Sequence, residues 1–328
     1  MPSKQLALFR AGTWAAGALP VSVVSLVGQS VGGLVGRLPD YDGKRSVVAS
    51  HMARVLGRPL ARSEQRRMVA DVFANYGRYW AESLRLPSLS TAEVVAGVVT
   101  IGQEHLEAAL AEGRGVILAP PHLGGWEWGA MYLIRSGLPV TVAVEPLQPP
   151  QLFEWFTGFR ERLGMQVVPV GPRAAASILR ALKDNHIVCL LADRLVGGAA
   201  GVEVEFFGQP VMMPSGPVAL AARSGAPLMA AAIYFEKKAN SHTIVFRPPI
   251  ELPARTRIRE LLPTGAQALA AELEVLVRRA PTQWHLVQPN WPGDPELRHP
   301  WWAQQKPRAG AGGPARPIEV PGPAGRAQ

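Results

Sequence analysis

The sequence of 328 residues predicts an α/β protein with a central, mixed but mostly parallel sheet flanked by helices. From Val98 onward, short apolar runs alternate with stretches of helical period, the pattern of strand–helix units. Ahead of them, between residues 43 and 86, apolar positions recur at the 3.6-residue period alone. A third feature precedes both: residues 11–38 carry no charge except Arg37.

That amino-terminal stretch is rich in Ala, Val, Leu and Gly and holds Trp14 near its start. Its length matches a bilayer crossing of about 20 residues, but Pro20, Gln29 and several glycines and serines interrupt it. The preferred reading is an amphipathic or hairpin-like segment lying on the cytoplasmic leaflet, held by apolar insertion and by Lys4, Arg10 and Arg37. A buried helix of the fold is the alternative. A cleaved signal peptide lacks a clear small-x-small site leading into the body.

Residues 44–56 form the next expected helix, with Val47, Val48, Met52, Val55 and Leu56 at helical spacing and Gly57-Arg58-Pro59 as its stop. Another opens near Ser63, runs through Val69, Val72, Phe73, Tyr76 and Trp80, and closes by Pro87. Strands are expected at 98–101, 116–119, 140–144, 166–170, 186–192, 202–206, 228–235 and 243–246. Helices fall between them at 104–111, 126–135, 152–163, 174–183 and 217–224, and a last one at 264–279 has Leu269, Leu273, Leu276 and Val277 on one face. The expected organisation is a membrane-associating segment at 1–40 and one α/β domain at 41–303, helical over 41–95 and sheet-containing over 96–303. A Pro/Gly/Ala/Arg tail at 304–328 is expected to be disordered.

Hydrophobic residues make up 48% and charged residues 18% of the chain, which excludes a disordered protein. Mean hydropathy of +0.07 suits a globular body with an apolar face. The net charge of +9 admits nucleic acid, anionic lipid headgroups or small polyanions as partners. Nucleic acid is not expected, because the arginines are scattered and no recognition-module motif is present. The single cysteine, Cys189, sits in an apolar run, which excludes an internal disulfide and points to a reducing compartment and a structural thiol. No His/Cys/carboxylate cluster has ligand spacing, so neither a metal nor a resident cofactor is expected.

Chemistry concentrates at His122-Leu123-Gly124-Gly125-Trp126-Glu127. His122 follows the buried-looking run 116–119, at the carboxyl end of a strand, where α/β sheets bind ligands. Gly124 and Gly125 allow a sharp turn, and Glu127 falls in the first turn of the next helix, where the dipole favours an acid. A carboxylate there can accept the imidazole N–H, fix its tautomer and stabilise the imidazolium. By itself a His-x4-Glu spacing is weak. Of the seven histidines, only His122 combines a strand end, a glycine turn and a nearby acid; His285, beside Trp284, reads as a packing or surface residue.

The His122–Glu127 segment resembles the His-x4-Asp/Glu motif of glycerolipid acyltransferases, and its Gly and Trp are similar to the His-x-Gly-Asn-Trp-Asp/Glu form of the lipid A biosynthesis acyltransferase family. Further segments resemble that family's actinobacterial branch, the phosphatidylinositol mannoside acyltransferases: Asn75-Tyr76-Gly77-Arg78-Tyr79-Trp80, Val144-Glu145-Pro146, Phe159-Arg160-Glu161-Arg162, Leu191-Ala192-Asp193-Arg194, Gly201-Val202-Glu203-Val204-Glu205 and Met213-Pro214-Ser215-Gly216-Pro217. They occur in one order from about residue 75 to 230.

The resemblance implies a glycerolipid-acyltransferase-like sheet and transfer of a fatty acyl group, typically palmitoyl, from acyl-CoA as donor substrate to a mannose hydroxyl of a phosphatidylinositol mannoside. The place implied is the cytoplasmic face of the plasma membrane, among anionic lipids. His122 would be the general base and Glu127 its orienting acid. Glu145, Arg160, Asp193, Arg194 and Glu203 would line the substrate site, and residues 213–217 would form a loop entering a helix. Two departures stand out: Gly125 replaces the family's Asn, and the Asp193-Arg194 pair is followed by Leu195 and a Gly/Ala-rich stretch. Both leave the acceptor open, another glycolipid or a lipid A precursor being the alternative. A hydrolase is disfavoured by the absence of a Gly-x-Ser-x-Gly elbow; a non-catalytic basic membrane-binding protein is the competing class.

Overall fold

The computed structural model describes residues 4–38, 42–147, 149–196, 199–253 and 257–295. The expected tail and the Lys4 side chain lie outside the described residues. Two helices open the chain, α1 (Lys4–Ala18) and α2 (Val21–Val35), separated at Pro20, whose backbone is extended (φ −57°, ψ 144°); proline cannot donate to the previous turn and disfavours helix in the residue before it. Helices α3 (Asp42–Val55), α4 (Arg62–Arg85) and α5 (Thr91–Ala96) follow. A reciprocal capping box starts α5: Glu93 N–H donates to the Ser90 hydroxyl and Ser90 N–H donates to the Glu93 carboxylate.

The strand–helix alternation then runs β1 (Val98–Ile101), α6 (Gln103–Ala111), β2 (Val116–Ala119), α7 (Trp126–Arg135), β3 (Val140–Val144), α8 (Pro150–Arg162), β4 (Gln166–Pro169), α9 (Ala174–Lys183) and β5 (Ile187–Cys189). After a hairpin, β6 (Gly201–Phe206) and β7 (Gln209–Pro214), come α10 (Gly216–Ser224), β8 (Leu228–Phe235), β9 (His242–Pro249) and α11 (Ile258–Arg279). Seven strands form one sheet in the order β1-β9-β8-β2-β5-β3-β4. All its pairings are parallel except β8 with β9. Because side chains alternate across a strand, Ile117, Val188 and Ala230 enter a core with Phe73, Leu182 and Leu273. Their neighbours Val116, Ile187 and Met229 enter another with Leu106, Met131 and Phe159.

Four expectations are corrected. Residues 202–206 are not a strand of the main sheet; they pair antiparallel with β7, a strand unmarked in the sequence reading. Phe207 (φ 51°) and Gly208 (φ 72°) form the tight connection, the backbone signs that match a two-residue turn to strand twist. Met213 and Pro214 therefore end a strand rather than a loop, and α10 starts at Gly216. The strand expected at 186–192 stops at Cys189, and α11 begins at Ile258, accommodating Pro263 near its amino end.

The amino-terminal stretch is part of the packed fold. Ideal Cβ atoms on Gly28, Gly32 and Gly77 would lie 2.5 Å from Ala81 Cβ, 2.2 Å from Phe73 O and 2.0 Å from Gly28 O, so α2 and α4 touch backbone to backbone. On the outside, Trp14, Leu26, Val27, Val31 and Leu34 stand exposed. No helix among the described residues is long and apolar enough to cross a membrane.

Candidate active site

Strands β2 and β5 are parallel neighbours, with Leu118 opposite Cys189. Their pairing continues past both ends: Leu190 N–H donates to Leu118 O (2.9 Å) and Ala192 N–H to Pro120 O (3.0 Å). The two chains thereby deliver His122 and Asp193 side by side. The Nδ1 of His122 lies 2.6 Å from Asp193 Oδ1, and its backbone N–H donates to Oδ2 at 2.9 Å. Trp284 Nε1–H donates to the same Oδ2 at 2.7 Å. Burial opposes ionisation of Asp193, but His122 and these donors outweigh it and hold the carboxyl at about 2. An anionic Asp193 places the imidazole proton on Nδ1 and leaves Nε2 as the basic nitrogen. The His122 side chain keeps 25% of its surface exposed while Asp193 has none.

The loop carrying His122 is fastened from below. Gly124 has φ 61°, and a Cβ there would sit 1.6 Å from Ile233 O, so only glycine fits. Gly124 N–H donates to Gln283 O and His285 N–H to His122 O, each at 3.0 Å. His285 Nε2 pairs with Gly124 O at 3.0 Å. His285 is buried, which drives its pKa down to about 4; a neutral ring then donates from Nε2. Asn290 adds a bond from Nδ2 to Asp193 O at 2.9 Å.

The expected hydrogen bond between His122 and Glu127 is absent among the described residues. The left-handed turn at Gly124 sends α7 off so that Glu127, in its first turn, faces α4. There the Tyr79 hydroxyl donates to Oε1 at 2.8 Å, Arg160 Nη2 donates to Oε1 at 3.1 Å, and the Ser83 hydroxyl reaches Oε2 at 3.4 Å. Burial pushes the Glu127 carboxyl up despite Arg160 and Tyr79, and burial with Glu127 beside it drives the Tyr79 phenol well above its usual range. The Arg160 guanidinium lies 4.8 Å from the Trp126 ring centroid.

A cavity of about 200 Å³ brings His122, Tyr79, Trp126, Glu145 and Arg160 to one wall system. Arg194 Nη2 pairs with Glu145 Oε2 at 3.2 Å, so four of the five residues expected around the substrate are joined to the cavity or to His122. Glu203 is not: it is exposed on β6, opposite Met212 of the hairpin. Cys189 also lines the cavity, and burial pushes its thiol up to about 12, which keeps it protonated and unreactive. The arrangement offers a carboxylate-oriented base facing a cavity without an activated protein nucleophile.

Residues 3–292 match the model of the bacterial lipid A biosynthesis acyltransferase family. The chain belongs to that family. Within the acyltransferase family, it is 36% identical over 249 residues to a protein named phosphatidylinositol mannoside acyltransferase in Mycobacterium tuberculosis, covering 74% of this chain and 76% of the relative. The protein of the same name in Mycolicibacterium smegmatis is 33% identical over 269 residues, 81% of this chain and 86% of the relative. A lipid A biosynthesis acyltransferase of Haemophilus influenzae is 27% identical over 187 residues, 56% of each chain.

In this family member, the sequence reading gave His285 a packing or surface role and gave Trp284 and Asn290 none; all three meet the His122–Asp193 pair or its loop from a segment beyond α11. No spacing signal links them to His122; only the adjacency of an aromatic and a histidine, Trp284-His285, marked the segment. Tyr79 lay within a quoted motif, without a role.

Proposed function

We propose that this acyltransferase moves a fatty acyl group, palmitoyl, from acyl-CoA to a mannose hydroxyl of a phosphatidylinositol mannoside at the cytoplasmic face of the plasma membrane. The observation that carries the chemistry is the His122–Asp193 pair, with Nε2 left as a base beside a cavity whose thiol is inert. The names borne by the mycobacterial relatives support the acceptor.

In this reading His122 Nε2 takes the proton of the sugar hydroxyl as its oxygen attacks the thioester carbonyl. The tetrahedral intermediate collapses by breaking the carbon–sulfur bond, and the imidazolium returns its proton to the departing CoA thiolate. Asp193 fixes the tautomer and stabilises the imidazolium, the role of an orienting acid in general-base catalysis. Glu127 serves one step removed, holding Arg160 and Tyr79 at the cavity wall, where the guanidinium is placed to steady negative charge developing on the carbonyl or carried by a substrate. Glu145 and Arg194 line the acceptor side.

The exposed apolar row of α2 and the flanking Arg10 and Arg37 support binding to an anionic leaflet. Gly125, in place of the family's Asn, favours keeping a second acceptor in view, another glycolipid or a lipid A precursor. A radiolabelled palmitoyl-CoA assay with purified phosphatidylinositol mannosides, wild type against His122→Ala, tests the reading. Loss of transfer in a folded His122→Ala protein is expected; near-wild-type transfer would exclude His122 as the base. Transfer to lipid A precursors alone would move the acceptor to the second reading, and no transfer by the wild type to either, with vesicle binding intact, would favour a non-catalytic membrane binder.

A further inference from the structure

A second cavity, about 600 Å³, opens between the carboxyl end of α2, α3 and the amino half of α4. It shares no lining residue with the cavity at His122. Its wall is apolar at Gly33, Val69 and Phe73, and its polar side carries three arginines, Arg37, Arg45 and Arg66, with no carboxylate among the described lining residues. Arg45 Nη1 is fixed by the carbonyl of Gly36 at 2.8 Å and that of Leu38 at 3.1 Å. Arg37 and Arg66 are exposed, and neither has an acidic partner among the described residues.

Arg37 follows the end of α2, and its backbone N–H donates to Leu34 O at 2.9 Å, so the two sit together at the helix terminus. Leu34, Val31 and Leu38 are exposed, which makes the mouth of the cavity continuous with the bare apolar row of α2. A guanidinium group binds phosphate through paired donors, and a volume of this size lies within the range of about 300–1,000 Å³ usual for small-ligand sites.

We infer that this cavity is a docking site for a membrane lipid with an anionic phosphate headgroup, separate from the catalytic cavity. The headgroup phosphate meets Arg37 and Arg66, and the upper acyl chain lies against Phe73 and Val69. The inference rests on the membrane-surface reading above: such a contact selects anionic lipid and fixes how the enzyme sits on the leaflet.

The test uses the full chain and monomeric short-chain lipid, dihexanoyl phosphatidylglycerol against dihexanoyl phosphatidylcholine, by isothermal titration. Saturable binding of the anionic lipid is expected, with the zwitterionic lipid weaker by roughly tenfold or more. A Cβ at Gly33 meets nothing within 4 Å, so Gly33→Leu fills the cavity without strain or change of charge. Gly33→Leu and the pair Arg37→Gln, Arg66→Gln should each abolish the preference, while Arg223→Gln with Arg257→Gln, a charge-matched control, leaves it intact. Equal binding of both lipids, unchanged binding in Gly33→Leu, or an equal loss in the control pair would overturn the site. Flotation of wild type with phosphatidylglycerol-containing vesicles reads the membrane-surface reading separately. Vesicle binding without saturable short-chain binding defeats the docking site alone; short-chain binding without vesicle binding defeats the membrane reading alone.

Discussion

His122 and Asp193, 71 residues apart in sequence, meet at 2.6 Å because two parallel strands end in register. Leu118 and Cys189 pair, and the chains run on together to the imidazole and the carboxylate. The imidazole and the carboxylate that meets it are thus both placed by sheet topology, on the central strand pair of the sheet.

Asp193→Asn is expected to keep the fold and lower kcat by about 10²–10⁴-fold, the usual worth of positioned general-base assistance. The two donors at the Oδ2 position, His122 N–H and Trp284 Nε1–H, hold the amide oxygen there, so the amide NH2 turns to Nδ1 and donates to it, which moves the ring proton to Nε2. Steady-state kinetics with circular dichroism on the same sample measures this. Stability carries a second signature. The carboxyl is depressed from its ordinary 3.8 to about 2, so its contribution is full above about pH 4 and is lost as pH falls through 2. That contribution is on the order of 2 kcal/mol, and the acid limb of wild-type stability should be flatter in Asp193→Asn.

Glu127→Gln separates two roles. If Glu127 acts through Arg160 and Tyr79, the variant loses thermal stability and activity while the pH–rate profile keeps the imidazole limb of wild type. A buried charge left without its partner costs about 3–5 kcal/mol, and retention of one amide oxygen as acceptor softens that figure. A shifted imidazole limb, equal to that of Asp193→Asn, would instead make Glu127 a direct partner of His122.

The sheet and the position of His122 at a strand end were legible in sequence, and the carboxylate that meets its ring was not. Apolar runs at 98–101, 116–119, 140–144 and 228–235 coincide with strands β1, β2, β3 and β8, because each is a short apolar run bounded by turns or helical segments. Glu127 was the reasonable partner on local grounds, being the acid nearest in sequence. Local spacing cannot report a parallel pairing across 71 residues, nor the turn at Gly124 that points Glu127 toward α4. Trp284 and Asn290 were invisible for the same reason: they reach Asp193 from 91 and 97 positions away. The strand Gln209–Pro214 was missed because two prolines, Pro210 and Pro214, weaken its pattern; it is tolerated in a two-stranded hairpin, where each residue needs a partner on one side only.

Trp284→Phe keeps an aromatic ring at this buried position and removes the donor to Asp193, while the smaller ring leaves a cavity that lowers stability. A hydrogen bond to a charged group is worth about 1.5–3 kcal/mol, so kcat is expected to fall by roughly tenfold or more. The diagnostic reading is the acid limb of stability, which should shift to higher pH because this donor helps depress the Asp193 carboxyl. A loss of stability without that shift would make Trp284 a packing residue.

His285 gives a pH dependence of opposite chemistry. Burial lowers its pKa from the ordinary 6.5 to about 4, so the unfolded chain takes up a proton that the folded chain refuses. Stability from this residue is full above about pH 6.5 and falls as pH drops from 6.5 toward 4, by on the order of 3 kcal/mol. His285→Gln keeps an amide donor for Gly124 O and cannot titrate. Urea unfolding at intervals between pH 4 and 7 should show a shallower decline for the variant, and a parallel decline in both proteins would assign the slope to His242, whose pKa burial also lowers.

The two faces of α2 should separate packing from surface binding. Gly32→Leu drives a side chain into Phe73 O, which a Cβ alone would approach to 2.2 Å; overpacking of this kind costs about 1–3 kcal/mol, read as a lower Tm. Leu26→Ser with Leu34→Ser changes side chains that are 65% and 62% exposed, so the fold should keep its Tm while binding to phosphatidylglycerol-containing vesicles weakens. The contrast is informative because the substitutions lie on one helix of 15 residues. If the serine pair lowers Tm as much as Gly32→Leu and leaves vesicle binding unchanged, the apolar row is structural and the leaflet is reached by some other surface.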